Sequence, residues 1–158
     1  YGAMTYTRPA LVFRMLHWVM GDAAFRAGLR QFYADNRLQH VTEADLRAAM
    51  GAHYPGGLDW FFEQWIHTTA TLDYRIGELA TSQLPDGRWQ STIEVLRDGD
   101  IRMPVDLRVD GTTQRLDSTE RRQVVTIVTA GRPAEAVLDP DNILIDIQPS
   151  NNRRTFPR

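Results

Sequence analysis

The chain has 158 residues, 42% hydrophobic and 24% charged, enough to bury a sizeable core in one compact domain or two small ones. A formal net charge of -2 and a pI near 6.1 give no electrostatic footprint for nucleic acid or an anionic membrane surface, and no apolar run reaches the length of a membrane span. The lack of cysteine excludes disulfides, thiolate metal sites and a thiol nucleophile, and leaves redox compartment and localisation open.

The opening residues, YGAMTY, read as the interior of a longer sequence. From Arg8 to about Ile66 the apolar spacing is helical. Thr7 is placed to cap a first helix, Pro9 falls in its first turn where a missing N–H costs nothing, and Gly21 ends it. Only Arg14 and His17 interrupt apolar residues between Ala10 and Met20, so this helix has no wide polar face and calls for neighbours on every side. Helices preceding Tyr1 would supply them, and otherwise an exposed flank would draw a second copy of the chain. Asp22 is placed to cap a second helix with Phe25, Leu29, Phe32 and Tyr33 on its buried face. Thr42-Glu43-Ala44-Asp45 has the spacing of a capping box with the shorter acid, opening a helix from Glu43 to about Ala52 that the run HYPGG stops. A fourth helix starts near Asp59 and presents Phe61, Phe62, Trp65 and Ile66 as a core stripe.

From about Leu72 the period changes to the two-residue alternation of strands. Ile101, Met103, Val105, Leu107 and Val109 share one face, while Arg102, Pro104, Asp106 and Arg108 share the other. Asp98-Gly99 and Asp110-Gly111 are two hairpin signals. Pro104 assigns its strand to a sheet edge or a bulge, QVVTIVT reads as a central strand, and DPDN turns the chain into ILIDI. The fold expected is α+β: about four helices over residues 1–70, an antiparallel β-sandwich of about seven strands over 71–150, and a loose polar tail over 151–158.

Little in the pattern singles out chemistry. The histidines, His17, His40, His53 and His67, do not pair four apart on one helix, and no H-E-x-x-H occurs, so no zinc site is expected within these residues. Asp139 and Asp141 begin a calcium loop that Ile143 and the lack of a closing Glu break off, which leaves a turn. The doublets Arg121-Arg122 and Arg153-Arg154 read as solvated surface. Tyr6 stands apart: a phenol at a helix mouth can donate a hydrogen bond to a developing oxyanion, or it can simply pack.

Taken in order, YTRPALVFRML, GDAAFRAGLRQFY, TEADL, LDWFFEQWI, AVLDPDNILIDI and SNN resemble the aminopeptidase N and leukotriene hydrolase family of zinc metallopeptidases, the gluzincins. The resemblance covers nearly the whole chain and implies the end of a catalytic domain followed by a β-sandwich. Tyr6 takes the position of the tyrosine of the family's Y-x-K-G, which implies oxyanion stabilisation, with Tyr1 as the rival position. Arg8 and Pro9 replace the usual Lys and Gly, keeping the charge and the helix start, and TTATLDY replaces the G-x-P after the tryptophan helix. The resemblance implies zinc and a general-base Glu on a segment preceding Tyr1, a peptide substrate for the whole protein, and an inert chain in isolation. The rival reading is a non-catalytic interaction module holding a partner at the Pro104 edge or around Trp60 and Trp65.

Overall fold

A computed structural model describes residues 6–117 and 120–157, which form two compact units divided after Thr69. Among the described residues four α-helices are followed by seven strands in two antiparallel sheets, with a short 3-10 turn before the last strand. No helix among the described residues is long and apolar enough to cross a membrane.

In the helical unit, α1 (Arg8–Met20) buries Val12, Met15, Leu16, Val19 and Met20 along one arc. It is not enclosed on all sides, because Phe13 is 39% exposed and Leu11 and Trp18 are only half-buried. Thr7 does not cap it. Its backbone is already helical, with φ -69° and ψ -50°, and its side chain makes no capping bond, because the helical winding starts at Tyr6. Gly21, with φ 77°, ends α1 and is also the N-cap of α2 (Asp22–Asn36), so Asp22 is the first helical residue and not the cap. The Asp22 carboxylate instead accepts from Arg26 at 2.8 Å and pairs with His17 at 3.1 Å. Foremost the Arg26 bond, and then His17, holds that carboxyl below the ordinary Asp value.

The aromatic face expected of α2 is not its buried face. Leu29 and Tyr33 are exposed, and the buried residue is Gly28. A Cβ at Gly28 would lie 2.7 Å from the Met50 Sδ and 3.1 Å from the Met50 Cα, so glycine is what lets α2 approach α3 (Glu43–Gly51) this closely. The capping box of α3 is present: the Asp45 carboxylate accepts the Thr42 N–H and the Thr42 hydroxyl, each at 2.8 Å. In α4 (Asp59–Ile66) Phe61, Phe62 and Trp65 are buried, whereas Ile66 lies beyond their arc and is 51% exposed.

In the second unit one sheet has the order β1 (Tyr74–Gln83), β2 (Trp89–Arg97), β5 (Arg122–Thr129). The other runs β4 (Thr112–Leu116), β3 (Val105–Val109), β6 (Glu135–Leu138), β7 (Arg153–Thr155). The series Ile101, Met103, Val105, Leu107, Val109 is buried throughout, at 1% exposure or less. β3 is nevertheless an interior strand and not an edge; Pro104 lies just before it, where no ladder bond is asked of its nitrogen. Asp110-Gly111 makes the β3–β4 hairpin with positive φ at both residues. Asp98-Gly99 makes no hairpin, because β2 and β3 belong to different sheets. Both its N–H groups donate to the Asp73 carbonyl, and a Cβ on Gly99 would collide with the Thr71 carbonyl. The unexpected hairpin is β1–β2, turning through Asp86-Gly87.

QVVTIVT is β5, a marginal strand; β2 is the central one. ILIDI is not a strand, because the Asp139 carboxylate takes the N–H groups of Ile143 and Leu144, both at 2.9 Å, and the segment keeps only a bridge from Asp146 to Leu72. Nor is the tail loose. β7 pairs with β6, and Phe156 is 7% exposed. Asn151 donates to Asp73 and Asn152 to Asp146, while Asp146 also accepts the Tyr74 N–H, so the SNN segment fastens the chain end to the start of β1.

Candidate functional site

Tyr6 lies two residues before α1 and is 73% exposed. Two residues along, Arg8 opens the helix, whose first turn contains no acidic side chain. Met15 and Leu16, at 0% and 2% exposure, fix the helix to its neighbours, so the phenol extends from an anchored element. A helix mouth with a cation and no acidic side chain favours negative charge nearby. Tyr1, the rival position, lies outside the described residues.

Zinc, implied by the resemblance, requires three or four converging donors. The histidines are dispersed: His17 pairs with Asp22, His53 with Gln31 at 2.8 Å and His67 with Glu43 at 2.8 Å, while His40 is exposed. Among the described residues no three His, Cys, Asp or Glu side chains are arranged to hold a metal ion, so these residues do not fit zinc. Asp139 serves the turn described above.

Two concavities of the helical unit were not legible as sites. One, of about 610 Å³, is lined by Glu43, Arg47, Leu58, Asp59 and His67. Arg47 reaches Asp59 at 2.7 Å and Glu63 at 3.0 Å, which ties α3 to α4 and holds the guanidinium more firmly protonated than usual, Asp59 acting first. The Glu43–Arg47 spacing of four residues is the part of this network visible in sequence. The other, of about 340 Å³, is apolar and lined by Val12, Phe13, Leu16, Phe32, Phe62 and Ile66 among others. The arginine doublets are exposed, as solvated surface should be, and are also paired there: Arg121 with Asp100, Arg122 with Glu94 and Arg153 with Glu135, while Arg154 donates to the Gly77 carbonyl.

Comparison with known proteins gives a consistent placement. Residues 1–65, which include Tyr6 and Arg8, match the model of the Peptidase family M1 domain. No curated protein matches the chain. Among solved structures, aminopeptidase A of Legionella pneumophila, crystallised in complex with aspartic acid, is similar at TM-score 0.65 and 18% identity. The similarity covers 87% of this chain and 17% of that one, so the chain spans a small part of the length of the protein it matches. The family model thus falls on the helical unit, and the fold shared with the aminopeptidase extends over most of the chain.

Proposed function

We propose that this chain is the C-terminal part of a zinc aminopeptidase, comprising the end of its catalytic domain and the following β-sandwich, and that Tyr6 is its catalytic contribution. The observation that carries the reading is an exposed phenol at the mouth of an anchored helix, inside the segment that matches the M1 peptidase model. When the carbonyl of a peptide's first bond is attacked, charge collects on its oxygen. The Tyr6 O–H donates a hydrogen bond to that oxygen, and the cationic Arg8 and the acid-free first turn favour the same charge. The sandwich acts as scaffold. In this reading zinc and the general base belong to residues outside the 158, and the chain alone is inert.

The interaction-module reading has less support, since Trp65 is 5% exposed and β3, next to Pro104, lies between β4 and β6. The test is Tyr6→Phe in the full-length protein with an aminoacyl anilide as substrate. Loss of an oxyanion donor lowers kcat by about 10² to 10³ with KM nearly unchanged. Turnover equal to that of the parent would remove Tyr6 from the mechanism, and a loss confined to Tyr1→Phe would transfer the role.

A further inference from the structure

Strands that end a sheet offer unpaired backbone groups to any extended chain, and proteins commonly blunt them. Four strands occupy such positions here: β1 and β5 in one sheet, β4 and β7 in the other. Three are blunted. The register of β1 breaks between Ile76 and Leu79, and Arg154 occupies its Gly77 carbonyl. β7 has three residues, two of them arginine, and β4 is a five-residue strand carrying Arg115. β5 has no such device. Its eight residues, RQVVTIVT, pair with β2 in unbroken register from Arg122 to Thr129, with no proline, no glycine and no charge after Arg122.

The phase of β5 follows from one bond: the Arg97 N–H donates to the Arg121 carbonyl. Because antiparallel ladder bonds alternate, residues 123, 125, 127 and 129 direct their backbone groups at β2, and Arg122, Val124, Thr126 and Val128 direct theirs at the open edge. The side chains of these four are exposed, Val124 at 55% and Val128 at 38%.

We infer that this edge is self-complementary and that two copies of the chain join through β5, antiparallel about a two-fold axis, into one continuous sheet. The register that aligns edge-directed residues puts Thr126 opposite Thr126 and Val124 opposite Val128 of the second copy. On the inner face Val125 then meets Ile127. Every central pair is β-branched, the pairing strands favour most, and Arg122 falls opposite Ala130, so no like charges oppose each other. Registers shifted one way at this phase bring Arg122 inward against Val128 or Thr126, and the shift the other way sets Arg122 opposite Arg132, a like-charge pair.

The test uses the 158-residue chain in sedimentation velocity over a concentration series, with single substitutions. Thr126→Lys sets two ammonium groups opposite each other on the axis and should raise the dimer dissociation constant at least about fivefold while leaving the far-ultraviolet dichroism unchanged. Since the chain has no cysteine, Thr126→Cys gives a second, independent readout. It should yield a disulfide-linked dimer under mild oxidation, whereas Thr113→Cys on β4 should stay monomeric. A chain that remains monomeric at every concentration would overturn the inference. So would association abolished by Phe13→Glu but not by Thr126→Lys, or equal cross-linking of the two cysteine variants.

Discussion

The two units spend their apolar residues differently. In the sandwich, the series from Ile101 to Val109 closes to 1% exposure or less, although every second residue of that stretch is polar or proline. In the helical unit, α1 is the more apolar segment and yet leaves Phe13 39% exposed, with Leu29, Val41 and Ile66 also open. A strand face needs cover from one direction, which an opposing sheet supplies over its whole length. A helix that is apolar all round needs cover from every direction, and three short helices supply one arc. Apolar content alone therefore does not predict burial; the number of directions to be covered does.

The comparison breaks most visibly at its extremes. Leu107→Ala removes a side chain with 0% exposure and should cost about 2–5 kcal/mol, whereas Phe13→Ala should stay within about 0.5 kcal/mol, both read from urea unfolding of the chain. Equal losses would mean that α1 is as fully packed as the sandwich. Next in size is the one place where the helical unit is tight. Gly28→Leu drives side-chain atoms into Met50, which is 0% exposed, and should cost about 1–3 kcal/mol despite leucine's better helix propensity. Met50→Ala in the same chain should return part of that loss, and strict additivity would show that the α2–α3 contact is looser than described.

In the sandwich the corresponding polar test is Tyr74→Phe. The buried hydroxyl donates to the Met103 carbonyl at 2.7 Å and accepts the Met103 N–H at 3.3 Å, so its removal should cost about 1–2 kcal/mol. Burial, more than any neighbour, raises the Tyr74 pKa. A phenol with a raised folded-state pKa gives stability that is complete below the unfolded value of about 10 and is lost as pH rises through the folded value. The parent should therefore lose stability above about pH 10, and Tyr74→Phe should flatten that limb.

These contrasts also explain which features were readable in the sequence. Alternation located the Ile101–Val109 series because the strand period and the burial period coincide. Thr42 with Asp45 located α3 because both partners of a cap lie within one turn. What failed turned on groups that a hydrophobic pattern does not register. The α2 stripe failed because Gly28, contributing nothing to a hydrophobic pattern, is the contact with Met50. ILIDI failed because one carboxylate, Asp139, occupies the N–H groups a strand would use, and the tail because its asparagines answer the carboxylates of Asp146, six residues earlier, and Asp73, 78 residues earlier. Tyr6 was legible as a position but not as a role, since exposure of a phenol at a helix mouth is known only once the helix is placed.

The smallest effect expected separates the two units by acid. The Thr42 hydroxyl and then its N–H hold the Asp45 carboxyl below the ordinary value, and in the sandwich the Glu78 N–H and then Arg122 do the same for Glu94. A carboxyl with a depressed folded-state pKa contributes stability that is present above its unfolded value, about 4, and is lost as pH falls through the folded one. Both units should therefore weaken below about pH 4. Asparagine at position 45 keeps an acceptor but does not titrate, so Asp45→Asn should reduce the acid sensitivity of the helical unit and leave that of the sandwich unchanged, with Glu94→Gln doing the reverse. Amide hydrogen exchange at pH 7 and near pH 3, read separately over residues 43–51 and 89–97, resolves the two. If either substitution altered protection in both segments equally, the units would be unfolding as one, and their difference in packing would not be a difference in stability.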